Sequence, residues 1–255
     1  MYQLIKTVVW LMLSIYLLSC ATLSDPLPEG QKGEKAEQLA QKVLKALNAE
    51  AFFQAQGAKW SFRGRHYIWH KGLNRVRVQL GDDLFAYVDL NLQKGWAFQG
   101  QQRLDSQAEA NTIQKAIKAF NNDSFWAFAP FKIIDSGTQR ALVHHTQSSE
   151  HPSPTGLLVF YESGGTTPGD HYLWHLDPTY RPYKWQMWVS IIPVGGVSSS
   201  WAKWKKTQSG AWVAQEHSLG PVTFKVKHLE VVTHFEDLSV KVPKLLETWP
   251  KRLSF

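Results

Sequence analysis

Residues His171 to Pro193 read HYLWHLDPTYRPYKWQMWVSIIP, and this stretch decides the fold. In its first arm Tyr172, Trp174 and Leu176 recur at every second position; in its second arm Tyr183, Trp185, Met187, Val189 and Ile191 do the same. A period of two with large apolar side chains marks strands that have one apolar face. Between the arms, Asp177-Pro178-Thr179-Tyr180-Arg181-Pro182 supplies a turn. Each proline lacks the N–H that a ladder needs and holds φ near the turn value. The stretch is therefore a β-hairpin with an aromatic face. So many large side chains on one face require a thick core, a covering helix or a ligand.

Working outward, the same alternation recurs. Upstream, strands are expected over Arg140–Thr146 and Gly156–Ser163. Downstream, Gly195-Gly196 leads into a strand with Trp201 and Trp204, then a Ser209-Gly210 turn, a strand with Trp212, and a last long strand from Phe224 to Phe235. In the first half, Lys59 to Lys71 reads as strand with Gly64 at a bulge where the faces swap. Asn74–Leu80, Leu84–Asn91 and a segment carrying Trp96 and Phe98 follow, joined by short turns. Short strands with short connections indicate an antiparallel meander.

Two segments break this rhythm with helical spacing. From Lys35 to Asn48, Leu39, Val43 and Leu47 form one stripe. Asp105-Ser106 caps a second helix in which Ala110, Ile113 and Phe120 share a face; Asn121-Asn122 ends it, and it can lie across the concave side of the sheet. The SFWAFAPF run that follows fits a core segment or a lid, and Lys244–Trp249 forms a short amphipathic tail. The expected class is mainly β with α (α+β).

The chain has 255 residues, 44% of them apolar, with 12 Trp and a formal charge of +7. That apolar content argues for a folded globule rather than disorder. The basic balance suits a solvated surface or, in an exported protein, phospholipid or lipopolysaccharide head groups; nucleic acid is not an expected partner.

Residues 1 to 20, MYQLIKTVVWLMLSIYLLSC, start with a charge at Lys6 and continue with an apolar run from Val8 to Leu18. Such a run is too short for a comfortable membrane span, which needs about 20 apolar residues, and suits a signal-peptide core. Its end, Leu17-Leu18-Ser19-Cys20, resembles a bacterial lipobox. The resemblance implies cleavage before Cys20, diacylglycerol on its thiol and acylation of its amine by a fatty acid such as palmitate. Cys20 is also the single cysteine of the chain, so no intramolecular disulfide can form. Ala21 and Thr22 follow it rather than an Asp, which implies a lipid anchor in the outer membrane, facing the periplasm. The boundaries read as a leader over 1–19, a lipidated flexible tether over 20–34 and a single half-barrel domain over 35–255. Fully extended, the tether reaches about 45 Å.

The sequence assigns no chemistry to the domain. His66/His70 and His171/His175 have i, i+4 spacing, but on strands this puts their Cα atoms about 13 Å apart, too far to chelate as a pair. His144 and His145 point to opposite faces. No G-x-S-x-G elbow occurs, and the Gly164 run lacks the Lys-Ser/Thr ending of a phosphate loop. No catalytic residue, metal ligand or cofactor is assigned. What remains is a set of apolar side chains expected on neighbouring strands: Trp96, Phe98, Tyr172, Trp174, Tyr183, Trp185 and Met187. Met is adaptable and common where varied apolar ligands are accommodated.

The lipobox, the tether, the leading helix, the meander and the crossing helix together resemble the lipoprotein-localisation fold of LolA, LolB and RseB-like proteins. The strand–Asp-Pro–strand passage from Tyr172 to Trp188 and the final FKVKHLEVVTHFED carry the resemblance, which covers about residues 35 to 240. It implies a curved antiparallel half-barrel sheet covered by helices, with an apolar cavity for the acyl chains of a lipid or lipoprotein, and no enzymatic activity. Arg63, Arg65, Arg75 and Arg77 are then expected at the rim, facing head-group phosphates. The alternative is an interaction module that contacts an envelope protein, for sensing or assembly, with a packed core.

Overall fold

In the computed structural model, which describes residues 24–145, 153–163, 167–241 and 243–247, the first described element is a two-residue strand, β1 (Gln31–Lys32). Two helices follow, α1 (Glu34–Ala46) and α2 (Ala49–Gln54), with Asn48 between them in the left-handed region (φ 50°). The stripe expected from spacing is the buried one: Leu39, Ala40, Val43 and Leu44.

A meander then runs through β2 (Gly57–Phe62), β3 (Arg65–His70), β4 (Arg75–Gln79), β5 (Leu84–Asp89), β6 (Lys94–Gln99) and β7 (Gln102–Arg103). Lys59–Lys71 is thus two strands, and Gly64 is a turn residue instead of a bulge. Arg63 (φ 50°) and Gly64 (φ 81°) are both left-handed, as the two central residues of a tight hairpin turn of the right twist must be. The pairing Phe62↔Arg65 brackets them.

Helix α3 (Ser106–Phe128) leads to the second half. Asp105 caps it, accepting from the Ala108 N–H at 2.9 Å. Glu109 in its first turn takes both Arg103 guanidinium N–H groups at 2.7 Å and the Ala97 N–H at 3.2 Å, which fixes the helix start to the sheet. The helix passes straight through Asn121-Asn122, so SFWAF is its last turns, and it tightens into a 3-10 turn over Ala129–Phe131 around Pro130.

The second meander comprises β8 (Thr138–His144), β9 (Thr155–Tyr161), β10 (Asp170–Leu176), β11 (Pro182–Trp188) and β12 (Val197–Ser200). Short hairpins follow, β13 (Lys205–Lys206) with β14 (Trp212–Val213) and β15 (Glu216–Leu219) with β16 (Val222–Lys225). Strand β17 (Lys227–Val232) and a short helix α4 (Lys244–Glu247) end the described chain. The long strand expected from Phe224 to Phe235 is therefore broken at Val226: β16 pairs back on β15, while β17 joins another sheet.

The fold is α+β, and the strand pairings are antiparallel. One sheet has seven strands in the order β17-β2-β3-β4-β5-β6-β7, the other six in the order β1-β8-β9-β10-β11-β12. The β15–β16 hairpin connects their edges: Ala202 after β12 bridges to Glu216, and the Val226 N–H before β17 donates to Gln215. Helix α3 packs on β5 and β6, and α1 on β8 and β9. A core cluster draws on both sheets and on these helices, from Trp60 and Val76 to Trp174 and Trp185. The outer face of the seven-stranded sheet carries a second cluster, Tyr87, Trp96, Phe235, Leu238 and Leu246, under the C-terminal segment.

Candidate functional site

The hairpin β10–β11 forms as expected, and its register sets Tyr172 opposite Met187 and Trp174 opposite Trp185. Its turn is held by one carboxylate: Asp177 accepts from the Thr179 N–H (2.8 Å), the Thr179 hydroxyl (2.6 Å) and the Arg181 N–H (3.0 Å). Tyr172, Trp174, Trp185 and Met187 all point into the core.

The other three predicted residues do not join them. The register shifts between His175 and Leu176, and Tyr183 falls in this irregular part of the ladder. Tyr183 is half-buried, with its ring 6.1 Å from that of His175, on the far side of the hairpin from Trp174. Trp96 and Phe98 belong to the other sheet and to its outer face, next to Tyr87 and Phe85. The inner residue of β6 is the small Ala97, because α3 lies there. Ile191, expected to continue the alternation, lies beyond the strand and is exposed. Cys20 lies outside the described residues.

What gathers around Trp185 instead comes from α3, β10 and the residue that follows β12. Phe125 and Trp126 of α3 place their rings 5.7 and 5.1 Å from it. Trp174 and Trp201 lie 5.0 Å away on two sides, and Tyr172 at 4.9 Å. Trp201 in turn meets His217 at 4.3 Å. On the facing sheet, Trp60 stacks on Tyr67 at 4.6 Å and touches Phe128 at 5.1 Å edge-on. Trp126 and Trp201 were legible as large apolar residues, but their convergence on Trp185 depends on α3 continuing past Asn122 and on the chain turning after β12.

This interior is apolar in shape but carries polar hydrogens. The indole N–H groups of Trp60, Trp69, Trp174, Trp185 and Trp201 are buried with no acceptor among the described residues, and so are the Tyr161 hydroxyl and Ser199 Oγ. Indoles nearer the surface do find acceptors: Trp188 donates to the Asp25 carbonyl (2.7 Å) and Trp204 to that of Pro182 (3.0 Å). Buried Trp normally has such a partner, and an unmet buried donor costs about 1–3 kcal/mol.

Three polar groups border the aromatic interior. Asp123 on α3 is fully buried and accepts from Arg65 Nε (2.7 Å) and Nη2 (2.9 Å) and from the Tyr67 hydroxyl. The hydrogen bond to Asp123 raises the Arg65 pKa, and burial followed by the Asp123 charge raises that of Tyr67. Burial pushes His217 down to about 4, against the backbone contacts with Ser200 and Trp126, so its imidazole is neutral at pH 7. Burial also lowers Lys71 to about 8; its ammonium donates to the Phe52 carbonyl at 2.6 Å and sits over the Phe52 ring.

The basic rim does not assemble. Arg65 is committed to Asp123, while Arg75 pairs with Asp89 and Arg77 covers Phe85, both on the outer face; Arg63 lies over Phe224. No group of three or more His, Cys, Asp or Glu among the described residues is placed to hold a metal. His145 and His175 stack at 5.0 Å, and His175 Nε2 meets Gln186 Oε1 at 2.8 Å. No described helix is long and apolar enough to cross a membrane.

No protein-family model matches this chain, and no curated protein is significantly similar to it.

Proposed function

We propose that this chain is a membrane-tethered periplasmic lipoprotein, anchored in the outer membrane through lipidated Cys20, that binds acyl chains of a lipid or lipoprotein between its sheets and α3. It performs no reaction on them. The observation that carries this reading is the set of five buried indole N–H groups without an acceptor among the described residues, in a mainly aromatic interior. An acyl lipid supplies both things such a surface lacks: hydrocarbon for the rings, at about 25 cal/mol per Å² buried, and ester or carboxyl oxygens for the N–H groups.

The LolA-, LolB- and RseB-like half-barrel is the architecture that goes with this reading. Two features support it. Strand β17 returns to pair with β2, so the last described strand closes beside the first strand of the first meander, and a single long helix lies between the two meanders.

A second reading has its own observation. Phe125 and Trp126 already rest on Trp185, as in a filled core, which suits an interaction module that contacts an envelope protein. Native mass spectrometry of the mature protein, extracted gently from membranes, separates the two. A bound mass released as phospholipid or acyl chain, and lost in Trp174→Ala and Trp185→Ala, is the expected result. A clean apo mass that takes up no added lipid favours the interaction module.

A further inference from the structure

The segment from Ser24 to Lys32 was expected to be part of a free leash. It is instead strapped to the outer face of the six-stranded sheet. At one end the Asp25 N–H donates to the Gly195 carbonyl (3.2 Å), and the Gly195 N–H donates to Ser24 Oγ (2.8 Å). There the Asp25 carbonyl accepts from Trp188 Nε1 (2.7 Å), and Gln186 Nε2 donates to the Asp25 carboxylate (3.4 Å). At the other end, Gln31 and Lys32 pair with Leu142 and Ala141 of β8. Strands β9 and β10 lie between β8 and β11 in the sheet. Crossing three strand spacings takes about 14 Å, and six residues reach about 20 Å, so the strap crosses the sheet with only about 6 Å to spare.

Two glycines are fitted to it. A Cβ on Gly30 would come 2.7 Å from the Ala141 Cβ. Gly196 is left-handed (φ 78°), and a Cβ there would stand 2.4 Å from the Asp25 Cβ. Beneath the strap runs the small cluster of Ala141, Val143, Leu158 and Leu173, with Phe160 and Trp188 against it.

The strap changes what a lipid on Cys20 does, and the inference rests on that lipidation. Only three residues lie between Cys20 and Ser24, so four residue steps reach about 14 Å at most, against about 45 Å for a free tether. The docking point of Ser24 and Asp25 is the β11–β12 loop, residues 189–196. In that loop Val189 is buried and Ile192 packs against the core, while Ile191 between them is 75% exposed. A bulky apolar side chain is thus held outward, on a fixed base, beside the point where the anchor chain leaves the domain.

We infer that the β11–β12 loop rests on the phospholipid surface through Ile191, so that the anchored domain holds one orientation with its strapped sheet towards the bilayer. The occupant is the membrane that holds the anchor, because the strap leaves the loop no room to swing away from it.

The test uses the full chain, processed and acylated by its own leader, in phosphatidylethanolamine–phosphatidylglycerol vesicles. In the proposed mature protein the thiol of Cys20 carries lipid, so Ile191→Cys offers a single thiol for an environment-sensitive fluorophore. Val222→Cys is the reference position, at the start of β16 where Val222 is 49% exposed. The expected result is a blue-shifted label at 191, quenched several-fold more by lipid-borne quenchers than the label at 222. An insertion of about twenty Gly and Ser residues between Ala21 and Ser24, spanning about 25 Å, removes that difference while the protein stays on the vesicles. Equal quenching at 191 and 222 in the uninserted protein, with acyl mass present on the Cys20 peptide, overturns the inference and leaves the lipidation standing. Absence of acyl mass on that peptide overturns the lipidation, and this inference with it.

Discussion

Residue by residue, the interior is defined by side chains that have given up water without a full set of partners, and His217 reports this most directly. Its ordinary pKa of about 6.5 applies to the unfolded chain, and burial holds it at about 4 in the folded one. A base whose folded pKa is depressed contributes stability that is complete above pH 6.5 and lost as the pH falls towards 4, because only the unfolded state takes up the proton in that window. The loss amounts to about 3 kcal/mol at full extent. Urea unfolding at pH 7.0 and pH 4.5 is expected to show most of this decrement in the wild type and much less of it in His217→Phe. An equal acid decrement in both proteins would assign it to other groups. The identity of this residue was not legible, since a histidine in a polar-looking EHSL segment gives no sign that Trp126 and Trp201 will enclose it. Trp96 and Phe98 were misplaced for a related reason. Alternation says that two residues share a face, not which face is inside, and here the inner position went to Ala97 because a helix needs room.

Among the elements, α3 is the part that turns two meanders into one interior, and it is held to the seven-stranded sheet at both ends. Its start is fixed through Glu109 to Arg103 and Ala97, its last third through Asp123 to Arg65 and Tyr67. Removing the Asp123 carboxylate leaves the guanidinium and the phenol without their acceptor. Breaking a buried pair of this kind costs about 3–5 kcal/mol, and Arg65, whose side chain is 29% exposed, can turn towards water, so the lower end applies. Asp123→Ala is therefore expected to destabilise by about 3 kcal/mol, or roughly 1–2 M in the urea midpoint. A shift below a third of that would mean that the apolar face of α3 holds the helix unaided. The start of α3 was readable because its cap is local chemistry. Its end was not, because Asn121-Asn122 weakens a helix by propensity alone, and the burial of Asp123, Ala127 and Phe128 beyond it outweighs that. The same contrast explains the hairpin, whose Asp177 turn and first strand followed from sequence, while the shift that displaces Tyr183 depends on how the strands meet.

For the molecule as a whole, the two readings of the interior differ in what a ligand does to stability. An acyl lipid that enters between α3 and the six-stranded sheet binds the folded state alone, and at a hundredfold excess over Kd it adds about 2.7 kcal/mol. In a chain of this size that corresponds to roughly 5–10 °C in Tm. Trp174, Trp185 and Trp201 lie within about one ring diameter of one another, so a bound chain must pass at van der Waals distance from at least one of them. Phospholipids brominated along one acyl chain are therefore expected to quench the tryptophan emission of the delipidated protein saturably, with the rise in Tm following the same isotherm. Trp185→Ala is expected to weaken both effects together, since this ring touches α3 and the sheet at once. Trp96→Ala should leave the isotherm unchanged, because Trp96 belongs to the outer cluster beneath the C-terminal segment. If neither Tm nor emission responds, the rings are simply core, the unmet N–H groups are borne by the fold, and the surface that acts lies on the outside of the sheets. The protein-contacting reading then becomes the one to pursue.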